Sequence, residues 1–174
     1  FMPLRSYFET DLPKANPKIQ PIKSPYSDEV VYAVPPLRPD VTVIHAQRAD
    51  ASGNTQIWGL LGCQKEAAFA AERVIVVCEE VVDESVVRRD PNRTIVPGFR
   101  VDAIVAAPFG AHPYQVQGYY DADAGFRRDY AAQSATLDGW TTWADDWVYG
   151  VEDHAEYLKK LGEPRIDALR AKRV

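Results

Sequence analysis

The segment between residues 40 and 80 most constrains what this 174-residue chain can fold into. Apolar and β-branched runs in and just after it predict strands at residues 41–44, 55–58, 74–78 and 101–105. An Ala-rich stretch at residues 64–72 predicts a helix before the third of these strands, with Phe69 on its packed side. Alternating strands and helix are typical of an α/β fold, so we expect an open, mostly parallel sheet with covering helices.

A tight turn is predicted at residues 50–54, which read Asp-Ala-Ser-Gly-Asn. Gly53 and Asn54 tolerate positive φ, and the Asp50 carboxylate can accept hydrogen bonds from the amides of the turn. We therefore expect Asp50, Asn54 and the nearby Arg48 to serve the structure of the turn and not the chemistry of a site.

The rest of the chain divides by composition, although we expect residues 1–174 to form one α/β domain segment. Residues 1–39 are predicted to be a Pro-rich extended loop, because prolines deny the backbone donors that helices and central strands need. The only strand expected there lies at residues 29–34. Residues 40–115 are predicted to form the sheet core, and residues 121–174 a helical tail.

Aromatic residues recur in that tail at roughly helical spacing, which predicts helices packed on the sheet or on a partner. Near its end, basic residues alternate with Ile166 and Leu169, a pattern typical of the solvated face of a last helix. The basic residues are Arg165, Arg170, Lys172 and Arg173.

Composition and charge exclude several classes of protein. No apolar run approaches the roughly 20 residues needed to cross a bilayer, so we expect no membrane role. A net charge of -5 repels phosphate backbones, which argues against nucleic acid as a partner. Cys63 and Cys78 lie in or beside hydrophobic segments, and no secretory signal is recognisable, so we expect free thiols and a cytoplasmic protein.

Polar residues follow three of the predicted strands, and in α/β sheets ligands bind beyond the carboxyl ends of strands. These residues lie at positions 45–48, 79–80 and 109–112. If the strands are neighbours, two carboxylates, an arginine and two histidines converge on one edge, which suits acid-base chemistry or an anionic substrate.

Each of these residues also has a structural interpretation. For His45, a hydrogen-bonded core histidine is favoured over a base. Glu79 and Glu80 can instead cap the following turn, whereas His112 lies in an irregular loop, where polar residues often serve function. Cys63, at the start of a helix, is favoured as a packed thiol over a nucleophile. No metal site is expected, because His45, Asp50, Glu79 and His112 show no known ligand spacing.

Several stretches, in this order, resemble the A subunits of class I CoA-transferases, nearest to glutaconate CoA-transferase. The resemblance spans roughly residues 1–160, and several ordered motifs are more specific than one. The stretches are Phe-Met-Pro-Leu-Arg at 1–5, Arg-Pro-Asp-Val at 38–41, His-Ala-Gln-Arg-Ala-Asp-x-x-Gly-Asn at 45–54, Val-Ile-Val-Val-Cys-Glu-Glu at 74–80 and Pro-Phe-Gly-Ala-His-Pro at 108–113.

The resemblance implies a heteromeric enzyme that uses a coenzyme A thioester as substrate, with no covalently bound cofactor. In such transferases the nucleophile that attacks the thioester is a glutamate of the B subunit. The two kinds of subunit form an A2B2 heterotetramer. The principal catalytic glutamate is therefore expected outside this segment, as is the glycine-rich CoA loop. Because the chain begins at Phe1 and not at methionine, we expect it to be the C-terminal part of a longer subunit.

Four residues are predicted to line a substrate or CoA pocket that faces the B subunit, namely Arg5, Glu79, Glu80 and His112. The reason for including Arg5 is that a planar guanidinium suits a carboxylate.

Two alternatives to CoA transfer stay open. A sister branch of the family, in actinobacterial steroid catabolism, hydrolyses a ring carbon-carbon bond of a CoA-linked intermediate, and the residues at 58–66 slightly favour that branch. The other alternative is a non-catalytic structural or docking subunit whose aromatic tail binds a catalytic partner.

Overall fold

The computed structural model describes residues 1–171, which fall into two compact units, Phe1–Pro39 and a larger one beginning at Asp40. The smaller unit holds one short helix, α1 (Leu12–Ala15), and a three-stranded antiparallel sheet of order β1-β3-β2. Its strands are β1 (Met2–Leu4), β2 (Gln20–Lys23) and β3 (Val30–Val34).

The sheet of the smaller unit corrects the expectation of an extended loop with a single strand. Pro3 and Pro21 both lie within strands, where they face Ala33 and Tyr32 of β3. Both prolines are tolerated because β1 and β2 are edge strands, so a missing N–H need not interrupt a ladder.

The larger unit is built on a mixed five-stranded sheet of order β7-β5-β4-β6-β8. The central strands β4 and β6 and the edge strand β8 run parallel, whereas β5 and β7 are antiparallel to their neighbours. The prediction of an α/β fold with helices toward the C-terminus is confirmed. The strands are β4 (Val41–Asp50), β5 (Thr55–Gln56), β6 (Arg73–Val82), β7 (Thr94–Val96) and β8 (Ala103–Ala106).

The two central strands are longer than predicted, because polar residues that were expected to end them find partners and stay in the sheet. The Arg48 Nε donates to Gln56 Oε1 of β5 at 2.8 Å. The Gln47 amide bonds to both the carbonyl and the N–H of Trp58, at 2.8 and 3.3 Å, and so continues the pairing where β5 stops. Hydrogen-bonded polar side chains can be buried at little cost, so β4 extends to Asp50.

The core of the larger unit lies where helix α2 (Gln64–Ala70) packs against the sheet. Ala68, Val74, Val76 and Cys78 are fully buried there. Beside this core, the Asp50 carboxylate accepts from the N–H groups of Ser52 and Asn54, both at 2.9 Å, and from the Asn54 side chain. The prediction of a structural turn is thus confirmed, with Gly53 at φ 89°.

The helices after β8 bring apolar side chains into a second core with Phe109 and Tyr120 from the preceding loop, whereas the short helix α3 (Glu84–Arg88) lies between β6 and β7 along the chain. Phe126 meets Trp147 edge to face, with ring centroids 4.8 Å apart, which accounts for part of the aromatic spacing in the sequence. The helices after β8 are α4 (Ala124–Gln133), α5 (Leu137–Trp147), α6 (His154–Leu161) and α7 (Glu163–Leu169).

Of the basic residues placed on a last helix, Arg165 lies in α7 and Arg170 directly follows it. Lys172 and Arg173 lie outside the described residues. Over residues 1–171, none of the helices has the length and apolar character that a bilayer crossing requires.

Candidate functional site

A buried carboxylate, Glu79 on β6, is the centre of the candidate site, with only 3% of its side chain exposed. It accepts three hydrogen bonds. His45 Nε2 and the Tyr120 hydroxyl bond to Oε1 at 2.7 and 2.8 Å, and the Phe109 N–H donates to Oε2 at 2.8 Å. Such a network fixes the positions of the groups around it, because each lost bond would leave a buried polar atom unpaired.

His45, on β4, connects this buried network to a cleft. Its side chain is 21% exposed, and it lines a cleft of about 210 Å³, called here the His45 cleft. With Nε2 engaged by Glu79, Nδ1 is the remaining polar atom of the ring. The other polar or aromatic residues of the cleft include Gln47, Trp58, Gln64, Gln115 and Gln117.

The loop after β8 supplies the third side of the network. Phe109 has a φ of 61°, a left-handed conformation that is unusual for a bulky residue, and its ring stacks on Tyr120 at 4.2 Å. Tyr120 also accepts a hydrogen bond from the Ala111 N–H at 3.1 Å. Burial, and then the nearby Glu79 charge, raises the pKa of Tyr120, so the phenol remains a donor to the carboxylate.

Gln64, at the start of α2, presents an unused acceptor at the same cleft. Its side-chain oxygen is buried and has no hydrogen-bond partner within residues 1–171. Because an unpaired buried acceptor is costly, this oxygen marks a position where a ligand N–H or O–H would bind favourably.

The four residues predicted to line one pocket occupy different surroundings. Glu79 does not line the His45 cleft itself, but its carboxylate bonds to His45, which does. Glu80 is exposed and lines a different cleft, where its carboxylate accepts from the Tyr119 hydroxyl at 2.5 Å. Arg5 belongs to the smaller unit, where it pairs with Glu29 at 3.1 Å on an exposed surface.

His112 lies in the helical core and does not line the His45 cleft. Only 1% of its side chain is exposed, and its ring nitrogens contact the Tyr157 hydroxyl at 2.5 Å and Asp123 Oδ2 at 3.2 Å. Burial lowers its pKa more than Asp123 raises it. An irregular loop was expected to indicate function, but this loop is packed under α4 and α6 through Phe126 and Tyr157.

Neither cysteine takes part in the site. Cys63 is an exposed free thiol that precedes α2, and Cys78 is buried in the sheet, where burial raises its pKa. In the part of the chain that the structure describes, His, Cys, Asp and Glu side chains form no cluster arranged to hold a metal ion.

Sequence reasoning identified Glu79 and weighed His45, but it missed the glutamines and Tyr120. Gln47 and Gln64 come from separate elements, and nothing in their spacing indicates a shared cleft. Tyr120 lies 41 positions from Glu79, and a long-range pair of this kind leaves no periodic signal.

The fold occurs in a known group of proteins. Residues 19–107 match the family model described as coenzyme A transferase, and the chain belongs to that family. The crystal structure of glutaconate coenzyme A-transferase from Acidaminococcus fermentans superposes with a TM-score of 0.91 at 36% identity, covering 99% of this chain and 59% of that one.

Two curated relatives represent different activities within the group. The A subunit of 3-oxoadipate CoA-transferase from Pseudomonas knackmussii is 42% identical over 94% of this chain and 57% of its own length. The cholesterol ring-cleaving hydrolase IpdA subunit of Mycobacterium tuberculosis is 30% identical, over 95% of this chain and 60% of its own length. The present chain thus spans little more than half of each, and the identities do not support the slight preference for the steroid branch.

Proposed function

We propose that this chain is part of the A subunit of an enzyme that transfers coenzyme A between two carboxylic acids. The observation that carries the proposal is the 42% identity to a 3-oxoadipate CoA-transferase subunit over nearly the whole chain. The likeness to the glutaconate enzyme over 99% of the chain supports the same reaction class. The name of each relative indicates a carboxylic acid as acceptor.

In this proposal the His45 cleft holds the acyl-thioester end of the substrate. His45 offers one ring nitrogen to the substrate, while Glu79 acts as a positioning residue that fixes the ring through Nε2. The unpaired Gln64 oxygen suits an amide N–H, and the arm of coenzyme A that carries the thiol contains two amides. A neutral, amide-lined cleft is also compatible with a thioester, which carries no charge of its own.

The nucleophile is proposed to come from a partner chain. The relatives are named as subunits, which implies a B subunit, and the resemblance in sequence implies that a glutamate of this partner performs the attack on the thioester. We further propose an A2B2 assembly in the cytoplasm, consistent with the two free thiols.

Ring cleavage of a CoA-linked steroid intermediate is the second candidate, favoured only by the 30% identity to the IpdA subunit. The two reactions differ in which molecule carries coenzyme A after the reaction. Transfer moves it to a second acid, whereas carbon-carbon hydrolysis leaves the thioester bond intact.

The test uses the full-length protein purified with its partner subunit. We expect coenzyme A to move from an acyl-CoA donor to glutaconate or 3-oxoadipate. Liquid chromatography of the thioesters measures this transfer. A parallel reaction contains a CoA-linked steroid ring intermediate and no acceptor acid. Ring opening without transfer would replace the first candidate by the second, and activity in neither reaction would contradict both.

The third possibility, a docking subunit without a catalytic role, is tested in the same assay by His45→Gln. A matched control is His154→Gln, because His154 does not line the His45 cleft and its ring makes one hydrogen bond within residues 1–171, to the Pro108 carbonyl. Unchanged transfer in both variants, with the complex still assembled, would favour the docking role.

A further inference from the structure

A second cleft, separate in its lining from the His45 cleft except for Trp58, is rich in guanidinium groups. It has a volume of about 510 Å³ and is called here the arginine cleft. The lining residues that matter are Arg48, Trp58, Glu80, Arg93, Tyr119 and Arg170. The two clefts lie next to each other, because the Trp58 side chain borders both.

All three arginines are held through Nε. Arg48 Nε donates to the neutral Gln56 amide at 2.8 Å, Arg93 Nε pairs with Asp90 at 2.7 Å and Arg170 Nε pairs with Asp167 at 3.2 Å. None of their terminal nitrogens makes a hydrogen bond within residues 1–171. Each guanidinium is therefore oriented, and its paired terminal N–H groups remain available for an anion.

Aromatic rings fix these groups further. The guanidinium carbons of Arg48 and Arg93 lie 5.4 and 4.8 Å from the Trp58 ring centroid, and that of Arg170 lies 5.4 Å from Phe109. Arg170 is also held by its backbone, which forms a bridge with Tyr120. Such contacts reduce the side-chain entropy that binding would otherwise cost.

Arg48, unlike the other two arginines, makes no ion pair within residues 1–171, although the Glu80 carboxylate lines the same cleft. Asp90 and Asp167 each bond to one of the other arginines, in exposed pairs that are weak in water. Glu80, which faces Arg48 in the sheet register, accepts its hydrogen bond from Tyr119 instead. Burial first, and then this carboxylate, raises the pKa of Tyr119, so the phenol stays protonated.

We propose that the arginine cleft binds the phosphate groups of a small molecule. A single carboxylate engages one guanidinium fork, whereas three forks around one cleft suit an anion with several oxygens, such as a diphosphate. The attraction is local, because the net charge of the chain is -5 and repels anions at long range.

Two kinds of ligand carry such phosphate groups. Coenzyme A carries a diphosphate, and the shared Trp58 would place its phosphates beside the His45 cleft. A free phosphorylated compound would bind in the same way without the thioester arm. Only the coenzyme A source rests on the proposed function.

The experiment measures binding of inorganic pyrophosphate to the full-length protein in its complex, by isothermal titration calorimetry at low salt. We expect Arg48→Gln to weaken binding by about tenfold or more, because it removes a charge-assisted contact. Arg93→Gln, on an exposed side chain, gives a second variant that does not disturb the sheet. Arg88→Gln is the matched control, since Arg88 is exposed and pairs only with Glu84 within residues 1–171.

Loss of binding in the two cleft variants, with Arg88→Gln unchanged, would support the proposal. Pyrophosphate that fails to bind the wild type, or binds all variants equally, would overturn it, as would a cleft that the partner chain already fills. A competition experiment distinguishes the two kinds of ligand. Coenzyme A should displace bound pyrophosphate if the diphosphate of coenzyme A occupies the cleft. Pyrophosphate should stay bound if the ligand is a free phosphorylated compound. Neither result depends on whether transfer is observed.

Discussion

Two histidine–carboxylate pairs in the larger unit use the same residue types in opposite ways. His45 contacts the buried Glu79 at 2.7 Å and keeps 21% of its side chain exposed at a cleft. His112 contacts Asp123 at 3.2 Å, but its side chain is 1% exposed and Arg165 takes up the charge of the carboxylate. A histidine can exchange protons with a substrate only if one ring nitrogen reaches it, so exposure and not pairing separates the two.

The buried pair stabilises the helices. The Asp123 carboxylate bonds to Arg165 through both oxygens and caps α4 by accepting from the Phe126 N–H at 2.7 Å. The Arg165 hydrogen bonds are the main reason that the pKa of Asp123 lies below its usual range. We therefore assign His112 and Asp123 to stability.

The largest effect is expected for Asp123→Ala. It removes the cap and leaves His112 and Arg165 without their partner, so the free energy of unfolding should fall by about 3 kcal/mol. Urea unfolding of the full-length protein, followed by circular dichroism, measures it. Asp153→Ala is the control, because Asp153 caps α6 in the same way on an exposed surface and should cost about 1 kcal/mol. Equal losses would contradict the assigned role of the buried pair.

Glu79→Gln should act on activity instead. The substituted glutamine would present an amide N–H₂ where one carboxylate oxygen now accepts a hydrogen bond, which disturbs the orientation of His45. We expect kcat to fall about 100-fold while KM changes by less than about threefold. Glu84→Gln, in an exposed pair with Arg88, is the control. A change confined to KM would mean that Glu79 only shapes the cleft.

The smallest effect concerns pH. Burial lowers the pKa of His112 in the folded state, so the unfolded chain takes up a proton first as pH falls below about 6.5. Folding stability then decreases with acid, and the stability lost through Asp123 follows only below about pH 4. In His112→Asn the first part of this decrease should be absent, as measured by unfolding between neutral pH and pH 5. A wild-type stability that rises over the same interval would reverse the assignment.

The sequence predicted the centre of the fold because its signals are local. The runs at residues 41–44 and 74–78 lie within β4 and β6, and Asp50 and Gly53 define their turn by their own chemistry. The continuation of both strands was not predictable in this way. It depends on partners such as Gln56 and Trp58 for β4 and Tyr120 for β6, which only the fold brings near.

The histidines show that local sequence signals also do not predict which residues reach the site. Both follow apolar runs, and nothing within a few residues of either indicates its burial. The difference arises from Tyr157 and Asp123, which close over His112 from α6 and the start of α4, while no described helix covers the His45 side chain in the same way. The prediction of a loop from the prolines of the smaller unit was wrong for a related reason. Whether a proline lies on an edge strand depends on the sheet as a whole and not on the neighbouring residues.

The three histidines of the chain allow the most direct test of the central claim that the His45 cleft is the functional site. His45→Gln, His112→Gln and His154→Gln are each made in the full-length protein with its partner, and kcat per folded complex is measured for CoA transfer. We predict a loss of about 100-fold for His45→Gln alone, with His112→Gln lowering the yield of folded protein but not kcat. A folded His45→Gln complex with wild-type kcat, or a loss of kcat found only in His112→Gln, would contradict the claim.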